Sequence, residues 1–266
     1  MTPRTCQNKV AMNPADHFAF VLVRPKSPGN MGTAARAIKN MGFSDLRFVA
    51  PASSDPGREI AMAVHADDLL REARTFPDLP SAVADHAIVV GTTAKTGPYR
   101  AAQPLRKAVA ELIALGETNR VAIVFGPEDF GLINDDLKQC HRLITIPTAP
   151  EYASLNLAQA VMVVAYELRM AMSVASPARS AVEPFASASE VDAMLDRMTS
   201  ALIAIGFLPE ANPDHVMFTL RAMLGRAGLY PRDVEILNGI ARQMRWVAEG
   251  GAETIAAKRR DGRPLR

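Results

Sequence analysis

Five short runs, 18–24, 45–50, 86–91, 120–125 and 143–147, are rich in Val, Ile, Leu and Phe on both faces. A strand that is apolar on both faces must be covered on both sides, which is the situation of parallel strands under crossover helices. Helical segments separate most of the runs. Residues 30–41 keep Ala34, Ile38 and Met41 on one side and stop at Gly42, and residues 104–115 open with a first-turn proline, space Leu105, Val109, Leu112 and Ile113 helically and stop at Gly116. The alternation predicts an α/β domain with a parallel sheet, closed by a last helix over 155–172. The apolar region 157–175 is interrupted by Gln159, Glu167 and Arg169, which suits a buried helix rather than a membrane span.

After that helix the pattern changes. Residues 173–189 are rich in Ala, Ser and Pro without a period and read as a linker. Three amphipathic helices follow. The first, 190–205, carries Val191, Met194, Leu195, Met198, Leu202 and Ile205. The second is opened by Asn212-Pro213, holds Met217, Leu220 and Leu224 and ends near Gly228. The third starts at Pro231 with Val234, Leu237, Ile240, Met244 and Val247 in register. The expected organisation is a loose tail over 1–16, an α/β domain over 17–172, the linker, a small helical domain over 190–250 and a basic tail over 251–266. The last nine residues carry five positive charges and one negative, either a solvated end or a phosphate-contacting one.

Thirty basic and 28 acidic side chains leave a formal charge of +2, so a polyanionic partner must meet local basic patches rather than a global field. Cys6 and Cys140 make no disulfide framework. Neither they nor His17, His65, His86, His141 and His215 have metal-ligand spacing, and the residues predict no metal. The N-terminal stretch has no apolar core of signal-peptide length, and the chain reads as cytoplasmic, with no membrane partner.

The chemistry is expected at the carboxyl edge of the sheet, where α/β folds bind ligands. Three strand-following loops lead there, 24–36, 91–95 and 125–132, and the segment 146–160 joins the last strand to the long helix. None has the spacing of a phosphate-binding loop or of a dinucleotide fingerprint. Taken singly, a Gly-rich turn capped by Asn30 is structural or functional, Glu128 is a surface carboxylate or a working one, and Ser154 is a helix cap or a ligand contact.

Together, N-x-G-x-x-x-R at 30–36, F-G-x-E-x-x-G-L at 125–132 and S-L-N-L-A-Q-A-V at 154–161 resemble, in order and spacing, the SPOUT-class RNA methyltransferases of the TrmH-like ribose 2′-O type. The resemblance covers roughly residues 17–172. The wording MGFSDLRFVAP at 41–51 and the trailing helices bring it nearest the TrmJ group, which methylates tRNA. It implies a trefoil knot, formed where the chain after Leu143 threads back through an earlier loop, a homodimer, and S-adenosyl-L-methionine as cofactor. Carried over, the cofactor contacts are Thr92, Thr93, Ala94, Gly126, Ile146, Ser154, Leu155 and Asn156. The catalytic set is Arg36, Asn30 and Glu128, with Ser154 and Asn156 also lining the reacting end.

A guanidinium stays protonated, so Arg36 reads as an electrostatic clamp on a phosphate and the developing alkoxide rather than as a base. Lys95 stands where an arginine is common, and Met162 where glutamine is frequent. The implied reaction is 2′-O-methylation of tRNA at position 32 of the anticodon loop, with the helical domain over 190–250 as the RNA-binding domain that holds the tRNA. The alternatives are a ribosomal RNA 2′-O-methyltransferase and a catalytically silent RNA-binding protein on the same fold. Lys26, Arg100, Arg106 and Arg221 are candidates for RNA contact and equally plain surface charges.

Overall fold

The computed structural model describes residues 14–52, 56–94, 101–174 and 184–251. Seven strands form one sheet: β1 (Phe18–Val23), β2 (Asp45–Val49), β3 (Arg74–Phe76), β4 (Ile88–Thr92), β5 (Gln103–Pro104), β6 (Val121–Phe125) and β7 (Arg142–Thr145). Their order is β3-β2-β1-β6-β4-β7-β5, with every pairing parallel. The five runs of the sequence are β1, β2, β4, β6 and β7. The short edge strands β3 and β5, only three and two residues long, carry no periodic signal to find.

The pleat sorts the core. Phe18, Phe20 and Leu22 of β1 join one cluster, in which Phe20 packs between Phe43 and Phe125 at centroid distances of 5.1 and 6.2 Å. Val21 and Val23 enter the cluster on the opposite face. The first face is covered by α1 (Pro28–Asn40), α3 (Asp67–Glu72), α5 (Leu105–Gly116) and α7 (Leu157–Val174). The second is covered by α4 (Leu79–Val83), α6 (Asn134–Lys138) and the start of α8 (Ala188–Ala204). A further helix, α2 (Pro56–Ala63), lies against α1. β1 and its neighbour β6 are buried along their whole length, and each fully buried Phe there contributes roughly 1.5–3 kcal/mol of transfer free energy.

Strands β4 and β5 are separated in the sheet by β7, which follows both in sequence. This order is compatible with the expected knot. Residues 95–100, between β4 and β5, lie outside the described residues.

Helix boundaries show where local chemistry differs from the periodic reading. The first helix is capped not by Asn30 but by Ser27, whose hydroxyl accepts from the Asn30 amide, and Asn30 sits inside the first turn. The long helix is capped not by Ser154 but by Asn156, whose Oδ1 accepts from the amides of Ala158 (2.9 Å) and Gln159 (3.4 Å). Pro104 belongs to β5, and α5 begins one residue later.

Helices α8, α9 (Asp214–Ala227) and α10 (Pro231–Trp246) bury Val191, Met194, Leu195, Leu208, Met217 and Val234 in their own small core. The stretch read as a linker is partly tied down. The Phe185 amide donates to Asn119 Oδ1 at 2.6 Å, Ala186 is buried with its amide on Leu229 O, and Ala188 donates to His86 O. Ser187 caps α8 in a reciprocal box with Glu190. Residues 184–189 are thus docked on both units, while 175–183 lie outside the described residues, as do Cys6, Lys95, Arg100 and the basic tail from 252 onward. No helix among the described residues is long and apolar enough to cross a membrane.

Candidate active site at the carboxyl edge of the sheet

The loop leaving β1 is held from three sides. Arg24, at φ +48, places its guanidinium in a fork against the Asp136 carboxylate on α6. The Lys26 and Ser27 amides donate to the two oxygens of Glu128 at 3.0 and 3.1 Å, and Lys26 Nζ lies 2.5 Å from Asp129. The loop after β6 that supplies Glu128 is itself a single tight turn, closed by the Gly131 amide on Pro127 O. A Cβ on Gly126 would stand 2.2 Å from the Gly131 carbonyl carbon, so the turn closes only with glycine there.

A directed chain of hydrogen bonds links the three motifs. The α7 amides take Asn156 Oδ1, so its Nδ2 is left to donate to Asn30 Oδ1 at 3.0 Å. Asn30 Nδ2 then donates to Glu128 Oε1 at 2.8 Å. Each amide orientation is dictated by the one before it, and the chain ends on a carboxylate that must be ionised to accept every bond it receives. Burial pushes the Glu128 carboxyl up, but the Asn30 amide and the surrounding backbone N–H groups outweigh it and hold it below the usual carboxylate range. Glu128 is an acceptor here, and a poor candidate for taking up a proton near neutrality.

Arg36 lies outside this chain. It is exposed on α1, six residues beyond Asn30 and so about 9 Å further along the helix axis. Among the described residues no carboxylate is paired with it. Gly32, the motif's glycine, serves packing: a Cβ there would lie 2.1 Å from Glu59 O on α2.

The expected cofactor contacts fall on three adjacent strand ends, in the sheet order β6-β4-β7. Thr92 closes β4 with its hydroxyl on Val124 O at 3.0 Å, the Thr93 amide is on Ile144 O, and Ala94 is exposed. Gly126 begins the β6 loop, Ile146 is half-buried just after β7, and Ser154, Leu155 and Asn156 lead into α7. Small side chains and open backbone at neighbouring loops suit a ligand carrying adenine and ribose, which needs close backbone approach more than charge. Of the basic candidates, Lys26, Arg106 and Arg221 are paired with Asp129, Glu167 and Asp192. No cluster of His, Cys, Asp or Glu able to hold a metal occurs among the described residues.

Sequence reasoning did not single out Ser27, Arg24, Asp136 or Phe130. The Ser-Pro step before a helix was a readable cap signal for Ser27. Phe130 is 49% exposed, with Lys26 Nζ 5.8 Å from its ring centroid, and a lone aromatic in a loop gives no such signal.

A parallel sheet whose outgoing loops wire three motifs together at its carboxyl edge is an α/β arrangement, and in such folds that edge is where ligands are bound. Residues 17–166 match the model of the SpoU rRNA Methylase family, more than half of the chain, and the protein belongs to that family. Residues 189–256 match a second model, the C-terminal domain of the tRNA methyltransferase TrmJ. The chain is 38% identical over 247 residues to the tRNA (cytidine/uridine/adenosine-2′-O-)-methyltransferase TrmJ of Pseudomonas aeruginosa, covering 88% of this chain and 96% of that one. It is also 38% identical to the tRNA (cytidine/uridine-2′-O-)-methyltransferase TrmJ of Klebsiella pneumoniae, over 84% of this chain and 94% of that one. Among solved structures, TrmJ from Z. mobilis superimposes with a TM-score of 0.73 at 36% identity, covering 85% of this chain and 98% of the other.

Proposed function

We propose that this protein transfers a methyl group from S-adenosyl-L-methionine to a ribose 2′-oxygen of tRNA, at position 32 of the anticodon loop. The observation that carries the reading is the oriented chain Asn156–Asn30–Glu128 at the carboxyl edge, in a chain whose relatives at 38% identity are named tRNA 2′-O-methyltransferases. When bound, the cofactor supplies an electrophilic methyl on a sulfonium, and Thr92, Thr93, Ala94, Gly126, Ile146, Ser154, Leu155 and Asn156 are the residues that hold it. In-line transfer needs alignment above all, and the wired loops supply it. Glu128 is a positioning residue that fixes the 26–30 loop and Asn30. Arg36, with no paired carboxylate among the described residues, binds a phosphate and steadies the alkoxide, and the proton leaves to solvent.

The same reading includes a homodimer in which each site draws RNA contacts from both chains, Arg36 among them. It is supported by the stripe Val163, Tyr166 and Met170 on α7, which are 36, 47 and 41% exposed at three- and four-residue spacing, while Val161 and Val164 are buried. It includes threading of the β7–α7 segment through the β4–β5 link, and a cytoplasmic location. A second reading, ribosomal RNA as substrate, is favoured by the description of the family matched over 17–166, whereas the match over 189–256 favours tRNA.

The test is to methylate purified tRNA and ribosomal RNA with labelled cofactor and map the product by mass spectrometry. Label on the ribose at position 32 of tRNA is expected. Label in ribosomal RNA, elsewhere in tRNA or on a base overturns the assignment.

A further inference from the structure

A concavity of about 810 Å³ lies between α8 and α10, away from the carboxyl edge. Along α10, Glu235, Asn238, Arg242 and Arg245 follow one another at spacings of three, four and three, which puts them on a single stripe of the helix, and Glu249 lines the same concavity just beyond the helix end. Arg197 of α8 faces the stripe and is steadied by Asn238, whose Oδ1 accepts from its guanidinium at 2.6 Å. Arg245 meets Glu249 at 3.3 Å, an exposed pair one turn apart of the kind that water and salt weaken. Arg242 is exposed and has no paired carboxylate among the described residues. At the end of the groove stands Trp246, the only tryptophan of the chain, 40% exposed. Its ring rests on Gly251, where a Cβ would come within 2.4 Å of Cδ2.

Three guanidinium groups beside a supported, partly open indole ring make a site for a flat, anionic ligand. Aromatic rings and arginine planes stack on unpaired bases, while the guanidinium forks take the flanking phosphates. A space of this size accommodates one or two nucleotides. The chain's own basic end is a poor occupant, since residues 258–266 add five positive charges and one negative to a groove that already holds three arginines against two glutamates. We propose that the α8–α10 groove binds an unpaired nucleotide of the RNA substrate, stacked on Trp246 with its phosphates on Arg242, Arg197 and Arg245. The proposal rests on the reading that the substrate is RNA, and places a second hold on that RNA outside the loops of the carboxyl edge.

The single tryptophan makes the test direct. Full-length protein is titrated with an unmodified tRNA transcript, a short single-stranded RNA and a duplex of the same length, following Trp246 emission, and methyl transfer is measured in parallel. Saturable quenching by tRNA and single strand, and weaker quenching by the duplex, are expected. Trp246→Ala should weaken tRNA binding at least about fivefold. Arg242→Ala should lower the slope of log affinity against log salt by about one. Both variants should bind the methyl donor as the parent does, which separates the groove from the catalytic edge. Emission unmoved by saturating tRNA, wild-type affinity in both variants, or an emission maximum that shifts with protein concentration in the absence of RNA, the mark of a second copy seated in the groove, overturns the proposal. RNA methylated with Trp246 unperturbed sinks the groove and leaves the enzyme reading standing. Quenching without any methyl transfer does the reverse.

Discussion

At the amino rim of the sheet, Arg47 is 1% exposed and bonds two carboxylates, Asp45 and Asp85, together with Ala82 O. On α1, the helix that leaves the carboxyl rim, Arg36 is exposed and meets no carboxylate among the described residues. Around Arg47 the charges answer one another: Arg74 and Arg120 also face Asp45, and Arg120 and His86 lie against Asp85. Burial alone would push the Arg47 guanidinium towards neutrality, yet the hydrogen bonds of Asp45 and Asp85 outweigh it and hold the charge. The same residue type is therefore spent on holding the sheet together at one rim and kept available at the other. A charge that is fully answered inside the molecule has nothing left for a ligand.

The contrast can be broken most forcefully at the amino rim. Arg47→Ala leaves two carboxylates without their buried partner, and a loss of about 3 kcal/mol in stability is expected. It falls at the lower end of such changes because Arg74 and Arg120 remain. Chemical denaturation measures it, and the methyl transfer rate of the folded variant should be unchanged. Arg36→Ala should do the opposite: kcat lower by about a hundredfold, with stability and methyl-donor affinity within a few-fold of the parent. Calorimetry and single-turnover rates separate the two outcomes, and a comparable loss of donor affinity would contradict the clamp.

Acid sharpens the comparison. His141 is buried just before β7, beside Arg221 and Arg142, with Nδ1 accepting from the Val89 amide. Burial pulls its pKa down to about 4, helped by the two arginines. In the unfolded chain the same ring takes a proton near 6.5. Stability is then fully present above about 6.5 and falls as the pH drops towards 4, by about 2 kcal/mol at pH 5. Glu128 is still ionised there, and so are Asp45 and Asp85, whose pKa values are also held below the usual carboxylate range, so the loss falls on His141 and the bond it accepts from Val89 rather than on the ion pairs of either rim. Denaturation midpoints at pH 7 and pH 5 check the first statement, and His141→Gln should flatten the dependence.

The smallest effect is expected from Glu128→Gln. An amide offers one acceptor and turns an NH2 group towards N–H donors, so about 1 kcal/mol of stability and part of kcat should be lost without a change in donor affinity. Melting curves and steady-state rates read it.

The central strands were legible in the sequence because strands buried on both faces are written as continuous apolar runs. The edge strands Arg74–Phe76 and Gln103–Pro104 were not, since they are short and half-exposed. The motif residues could be named from their order. Their wiring could not: the bonds from Asn156 to Asn30 and from Asn30 to Glu128 join residues far apart in the chain, whereas the caps supplied by Ser27 and Asn156 are local and within reach of sequence reasoning. Gly32 shows the converse, a motif position whose work is helix packing rather than chemistry.

The bond between Asn156 and Asn30 joins residues 126 positions apart. During synthesis the first helix and its loop emerge long before the residue that orients them. Until the segment after β7 has reached its place, the Asn30 carbonyl has no donor, and only the bond from its Nδ2 to Glu128 holds the amide. The hydrogen-bonded chain at the carboxyl rim is therefore completed late, and a chain stalled or clipped before residue 156 would carry all seven strands of the sheet without the last link of that chain.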